Sequence, residues 1–274
     1  MYSRILSLLF MIMCIGGGIV SAAQPAPQIE AEAAVLMVSN TREVLFDKKP
    51  YDIMYPASTT KIMTLITALE KGDPNSIVTV SPKAATCEGS SLELKAGERL
   101  TLHDAMYGMM LVSGNDSAEA IAESVGGSIP SFAKMMTDKA EKIGALQTHF
   151  SNPHGLPDPF NHFTTAYDLA LITAYGMENK EFANIVSTRE YDVNFLNGKK
   201  THVKNTNKFL KSYAGANGVK TGYTDAAGDC LVAAAKRDGV QLIAVILNDD
   251  ERWDDAAKLL DYGFAQIAQS KIKK

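Results

Sequence analysis

The sequence predicts an α+β fold in one continuous domain, and three observations carry that expectation. Apolar, β-leaning runs both open and close the chain, several apolar repeats of helical period lie between them, and no internal repeat divides it. Of 274 residues, 46% are apolar and 21% charged, enough apolar mass for a sizeable core and too little charge for a disordered chain. The formal net charge of −4 argues against a polyanionic ligand, so nucleic acid is not an expected partner.

The elements follow in order. Arg4, the uncharged run Ile5 to Val20 and the small residues Ser21-Ala22-Ala23 read as an export signal over 1–23, which places the remaining domain, 24–274, outside the cytoplasm: cell envelope, periplasm or secreted. Gly16, Gly17 and Gly18 weaken that run as a membrane helix, so cleavage is expected, and membrane contact arises only if the segment stays attached. Ala33 to Ser39 pairs with Val44 to Phe46 across a turn at Asn40-Thr41. Ile62, Leu65, Ile66 and Leu69 mark a helix stopped by Gly72 and Pro74. Leu102, Ala105, Met106, Met109 and Met110 mark another. Phe132, Met135, Met136, Ala140 and Ile143 mark a third, capped by Ser128 with Pro130 in its first turn. Thr164-Thr165 opens a helix through Tyr175. β-like stretches follow at Tyr191 to Leu196, Gly218 to Gly222, Leu231 to Ala235 and Val240 to Leu247, before a closing helix from Trp253 to about Ile267. Beyond Cys14 in the export segment, Cys87 and Cys230 are the two remaining cysteines, which either pair or stay free thiols; two cysteines are no disulfide framework.

The chemistry-bearing patterns are few. No G-x-S-x-G, H-E-x-x-H, phosphate-binding loop or C-x-x-C occurs. His149, His154 and His162 gather in a Pro-rich loop at spacings unlike a zinc site, so no metal is implied. The informative pattern is Ser58-Thr59-Thr60-Lys61. A hydroxyl three residues before an amine at the mouth of a helix puts both on one face, within reach of each other. A lysine at its reference pKa of ~10.4 is already protonated at neutral pH, so burial and nearby positive charge must favour its neutral form. Ser131 and Ser270 also precede a lysine by three residues, and Ser58 could simply cap the helix. Context favours Ser58: a strongly apolar helix follows it and would bury Lys61. Ser113-Gly114-Asn115, 55 residues after Ser58, falls between two helices, and Lys220-Thr221-Gly222 precedes Tyr223 in a β-like segment where Gly222 leaves room for a close substrate backbone.

The three elements in this order match the signature of penicillin-recognising serine enzymes. The longer stretches Pro56 to Thr64, Glu88 to Ser91, Ser113 to Asp116, Asn152 to Leu156, Asn205 to Lys208 and Gly218 to Gly228 resemble the D-alanyl-D-alanine carboxypeptidases of the S11 type, the low-molecular-mass penicillin-binding proteins, over roughly residues 30 to 265. The resemblance implies a DD-peptidase/β-lactamase-like fold, with a five-stranded antiparallel sheet, flanking helices and a helical subdomain. It implies a peptidoglycan stem peptide ending in D-Ala-D-Ala as substrate, β-lactam antibiotics as covalent inhibitors, and no cofactor. Ser58 would be the nucleophile, Lys61 its base and Ser113 a proton relay. Asn115 would bond a substrate amide, Lys220 would polarise the relay, and Thr221 would contact the terminal carboxylate. The backbone amides of Ser58 and Tyr223, beside Gly222, would form the oxyanion hole.

Many relatives add a C-terminal β domain and a membrane helix; with 52 residues after Gly222, neither is expected here. Two rivals remain at this point, a serine β-lactamase and a non-catalytic penicillin or peptidoglycan sensor. A class A lactamase would activate water with a Glu. The E-x-x-x-N stretch Glu190 to Asn194 reads as a strand rather than the loop that role requires.

Overall fold

A computed structural model describes residues 25–272; the expected export segment, 1–23, lies outside them. Strands β1 (Ala33–Val38), β2 (Val44–Lys48), β7 (Ala216–Thr224), β8 (Gly228–Arg237) and β9 (Val240–Leu247) form one antiparallel sheet in the order β2-β1-β9-β8-β7. The N-terminal hairpin thus joins the C-terminal strands, as the opening and closing β runs predict.

The sheet is covered on both faces, and the period-2 geometry of a strand assigns each residue to one of them. Ala33, Val35 and Met37 of β1, Val232 and Ala234 of β8, and Ile243 and Val245 of β9 face the larger core. Their alternates Ala34, Leu36, Leu231, Ala233, Leu242 and Ala244 face a second core. Helix α8 (Arg252–Ile272) packs on that second face. On the first lie α1 (Lys61–Lys71), α2 (Leu102–Leu111), α3 (Asn115–Gly126), α4 (Ile129–Ile143), α5 (Ala166–Gly176) and α6 (Lys180–Ser187). α5 is apolar around most of its circumference, which suits its place between the sheet and α1.

Short pairs β3–β4 (Ile77–Thr79 with Arg99–Thr101) and β5–β6 (Glu190–Asn194 with Lys200–Lys204), and the single turn α7 (Phe209–Ser212), complete the fold. Glu190 to Asn194 is a paired strand, which removes it as a water-activating loop. Cys87 and Cys230 are both free thiols. Among the described residues no helix is long and apolar enough to cross a membrane.

Candidate active site

Ser58 sits in a one-turn 3-10 helix, Ala57–Thr60, that runs straight into α1. Ala57 enters this turn at φ 45°, a left-handed conformation that costs an L-residue ~1–2 kcal/mol and persists only where the surroundings enforce it. They do so from three sides. The Thr59 hydroxyl donates to the Pro56 carbonyl at 2.5 Å. His162 accepts the Ser151 amide at Nδ1, 3.2 Å, so its Nε2–H is free to donate to the Thr60 hydroxyl at 2.8 Å. The Asn152 to Leu156 turn packs so closely that a Cβ on Gly155, itself at φ +94°, would overlap the Ala57 carbonyl. Ser58 does not cap α1: the helix starts without a side-chain cap, and Ser58 Oγ instead lies 3.0 Å from Lys61 Nζ.

Lys61 is fully buried. Burial pushes its pKa far below the ordinary lysine value, and the Lys220 charge pushes the same way, against weaker opposition from Cys87 and Asp116. A neutral amine has two N–H bonds and one lone pair. The N–H bonds have acceptors at Asn115 Oδ1, 2.6 Å, and the His154 carbonyl, 3.0 Å. Ser58 Oγ is the third contact, at 3.0 Å: a charged Lys61 donates to it, and a neutral one offers its lone pair to the Ser58 O–H. This is the geometry of a hydroxyl with its general base in place.

The other S-x-x-K pairs have ordinary surroundings. Lys134 is an exposed partner of Asp138 at 2.7 Å, and Ser270 Oγ donates to the Ile267 carbonyl at 2.8 Å.

Ser58, Ser113, Thr221, Gly222 and Tyr223 line one cleft between the helical side and the edge strand β7. Ser113 is held at φ 63°, a second strained residue at the cleft. Asn115 opens α3, with both ends of its amide engaged: Oδ1 takes Lys61, and Nδ2 donates to the Glu88 carbonyl at 2.6 Å. Asn115 thus ties Lys61 to the Glu88 segment. Asp116 fastens the facing segment, accepting from the Ser91 hydroxyl at 2.7 Å and the amides of Leu92 and Leu94 at 2.9 and 3.0 Å. Lys220 is buried in β7 and donates to the Thr221 carbonyl at 3.1 Å; burial first and Arg252 second lower its pKa to about 7. Gly222 also has a close neighbour within the chain. A Cβ there would stand 3.0 Å from the Ser58 amide nitrogen and 3.1 Å from the Pro56 carbonyl, so its missing side chain admits the Ser58 turn itself. Tyr223 is exposed, its hydroxyl donating to Asp225 at 2.9 Å.

Residues 20–251 match the sequence profile of the D-alanyl-D-alanine carboxypeptidase family, S11 among the peptidases. The chain belongs to that family. It is 36% identical to the D-alanyl-D-alanine carboxypeptidase DacF of Bacillus subtilis, over 89% of this chain and 68% of that one. A D-alanyl-D-alanine carboxypeptidase from Mycobacterium tuberculosis has a solved structure that superposes with a TM-score of 0.84 at 32% identity, covering 89% of this chain and 95% of that one. The Streptomyces K15 DD-transpeptidase superposes at 0.83 with 32% identity, covering 88% and 100%.

Some residues of the site were invisible in the sequence. Arg252 lines the cleft at the start of α8, donating to the Gly222 carbonyl at 2.8 Å and paired with Asp229 at 3.0 Å. Thr206 lines it too, 3.3 Å from Thr221 hydroxyl to hydroxyl. His162 supports the turn from a position 102 residues away from Thr60. No motif announces Arg252 or His162, and Thr206 lies in the Asn205 to Lys208 stretch without being singled out there; contacts in space find all three.

Proposed function

We propose that the chain works as a serine-type D-Ala-D-Ala carboxypeptidase in which Ser58 carries the acyl group, and the observation behind this reading is the buried, threefold-held Lys61 amine 3.0 Å from the Ser58 hydroxyl. Lys61 takes the Ser58 proton as the oxygen attacks the carbonyl between the two terminal D-alanines of a peptidoglycan stem peptide. The charge developing on that carbonyl oxygen falls to the backbone amides of Ser58 and Tyr223, a reading supported by the close packing of Gly222 against the Ser58 amide. Ser113 returns a proton to the leaving amine, a relay that Lys220 polarises, and water then releases the shortened peptide. The terminal carboxylate of the substrate suits the Thr221 end of the cleft, where the Arg252 guanidinium supplies positive charge. A β-lactam enters by the same attack and stays as a covalent adduct.

Substrates of this kind lie in the cell wall, which fits an exported protein. The family membership and the assembled Ser58-Lys61 pair weigh against a catalytically idle sensor, and the pairing of Glu190 to Asn194 in β5 weighs against a class A lactamase.

Release of free D-alanine from a pentapeptide ending in D-Ala-D-Ala tests the reading, run beside cleavage of cross-linked muropeptide dimers and turnover of penicillin. D-alanine release with slow penicillin turnover is expected. Rapid penicillin hydrolysis without D-alanine release would make the protein a lactamase.

A further inference from the structure

Behind Lys61 the fold assembles a group of side chains that the carboxypeptidase reading leaves unused. Cys87 follows the 3-10 turn Ala84–Thr86, Glu119 projects from α3, and His154 belongs to the turn that packs on Ala57. Their ligating atoms all lie within 4.8 Å of one another. His154 Nε2 and Glu119 Oε1 are 3.5 Å apart. That is long for a hydrogen bond and close to the ~3.4 Å edge of a tetrahedron whose zinc bonds are 2.0–2.2 Å. Glu119 is 7% exposed and His154 6%. The second carboxylate oxygen of Glu119, Oε2, is buried with no hydrogen-bond partner, an anionic acceptor left open where anions are expensive to bury. Cys87 is only half-buried, which gives an ion an entry path and room for a water as fourth ligand.

We infer that Cys87, Glu119 and His154 form a binding site for a divalent cation of borderline softness, with zinc as the biological ion, and that its occupation restrains the catalytic amine. A thiolate, an imidazole and a carboxylate together suit zinc far better than magnesium or calcium. As the metal–sulfur bond forms, the Cys87 thiol gives its proton to solvent; Glu119 brings its own negative charge.

His154 supplies the link to catalysis. Its Nδ1 accepts the Leu156 amide at 3.2 Å, so the neutral ring keeps its proton on Nε2. A metal on Nε2 sends that proton to Nδ1, against the Leu156 N–H, and the 154–156 turn has to give way. The His154 carbonyl, one of the two acceptors for Lys61, sits in that turn. Zinc therefore loosens the acceptor that orients Lys61, and it inhibits. The inhibitory effect rests on the proposed role of Lys61; the binding site does not.

Two readouts keep these apart. The full-length protein, stripped of metal, is titrated with cobalt as a spectroscopic probe and with zinc by calorimetry. One equivalent is expected to bind, with a thiolate-to-cobalt charge-transfer band in the near ultraviolet. Cys87→Ser should abolish the band, and Cys87→Ser and Glu119→Gln should each weaken zinc binding about tenfold or more. D-alanine release, each protein compared with its own metal-free rate, should fall with zinc in the wild type and not in Cys87→Ser. A missing band, or equal zinc affinity in wild type and both variants, overturns the site. Binding with the band but with an unchanged rate overturns the restraint on Lys61 and leaves the site standing. Activity that is absent with or without metal would fault the carboxypeptidase reading, and the cobalt band would still decide the site.

Discussion

Replacing Asn115 with Asp changes almost no volume and puts a carboxylate where a neutral amide oxygen now stands, 2.6 Å from Lys61 Nζ. Two opposite unit charges at that separation attract by ~6 kcal/mol in an effective dielectric of about 20. At ~1.4 kcal/mol per pKa unit, this raises the Lys61 amine by about four units toward a permanent ammonium. Part of the gain is lost because the second carboxylate oxygen faces the Glu88 carbonyl, which now accepts the Asn115 Nδ2–H at 2.6 Å. If half survives, the Lys61 amine is still about two units more basic than in the wild type. The assay is the second-order rate of labelling by a fluorescent penicillin from pH 6 to 10, with unfolding curves to show that Asn115→Asp is folded. The pH profile of labelling should move upward by about two units, with the rate at pH 7 below that of the wild type and recovering as the pH rises. A folded variant that labels at pH 7 within threefold of wild type, with the same pH profile, would refute the claim that Lys61 acts as a neutral base held by Asn115.

Further consequences concern the support of the same turn. His162 is buried and neutral, its pKa lowered from 6.5 to about 3 mainly by burial, so the unfolded chain binds a proton that the folded one refuses. Its contribution to stability is therefore complete above pH 6.5 and lost progressively as the pH falls toward 3. Urea unfolding at pH 7 and pH 5 should show a loss of about 2 kcal/mol in the wild type that His162→Gln lacks; equal pH dependence in both would contradict the assignment. Gly155→Ala places a Cβ against the Ala57 carbonyl at a φ of +94° and should cost roughly 3 kcal/mol or more, with penicillin labelling slowed in the fraction that folds. A melting temperature equal to wild type would mean the turn is not packed as described. Ser131→Ala should leave labelling unchanged, because Lys134 beside it is committed to Asp138 at the surface; lost labelling would move the nucleophile to α4.

Much of this arrangement could be read in advance, for reasons that differ by element. β1, β8 and β9 are buried on both faces and therefore show as unbroken apolar runs. α4 announces itself through the Ser128 cap, Pro130 and an apolar stripe, and α5 through the Thr165 cap. β3 and β4, three residues each, are too short to display a period, and their pairing joins residues twenty or more positions apart. α6 went unread although Asn179 caps it and Phe182, Ile185 and Val186 line its buried face; eight residues leave only two turns of pattern.

The site divides in the same way. Ser58 and Lys61 declare themselves because both partners lie one helical turn apart. Asn115, Lys220 and Gly222 are legible through the order of their motifs, while their particular duties needed coordinates: Asn115 grips Lys61, and Gly222 admits the Ser58 turn. Arg252 and His162 carry no local signal, since each acts through a neighbour brought close only by the fold, and Thr206 sits in the Asn205 to Lys208 stretch with its contact to Thr221 visible only in space.

The most direct trial of the whole scheme is to trap the acyl group and find the residue that bears it. Wild-type protein is quenched in acid during turnover of a D-Ala-D-Ala peptide, or after reaction with penicillin, and its peptides are mapped by tandem mass spectrometry. The acyl mass should lie on the peptide containing Ser58, at the Ser58 oxygen, and should vanish in Ser58→Ala. An adduct on Ser113, Ser131 or Ser270, or D-alanine release undiminished in Ser58→Ala, would contradict it.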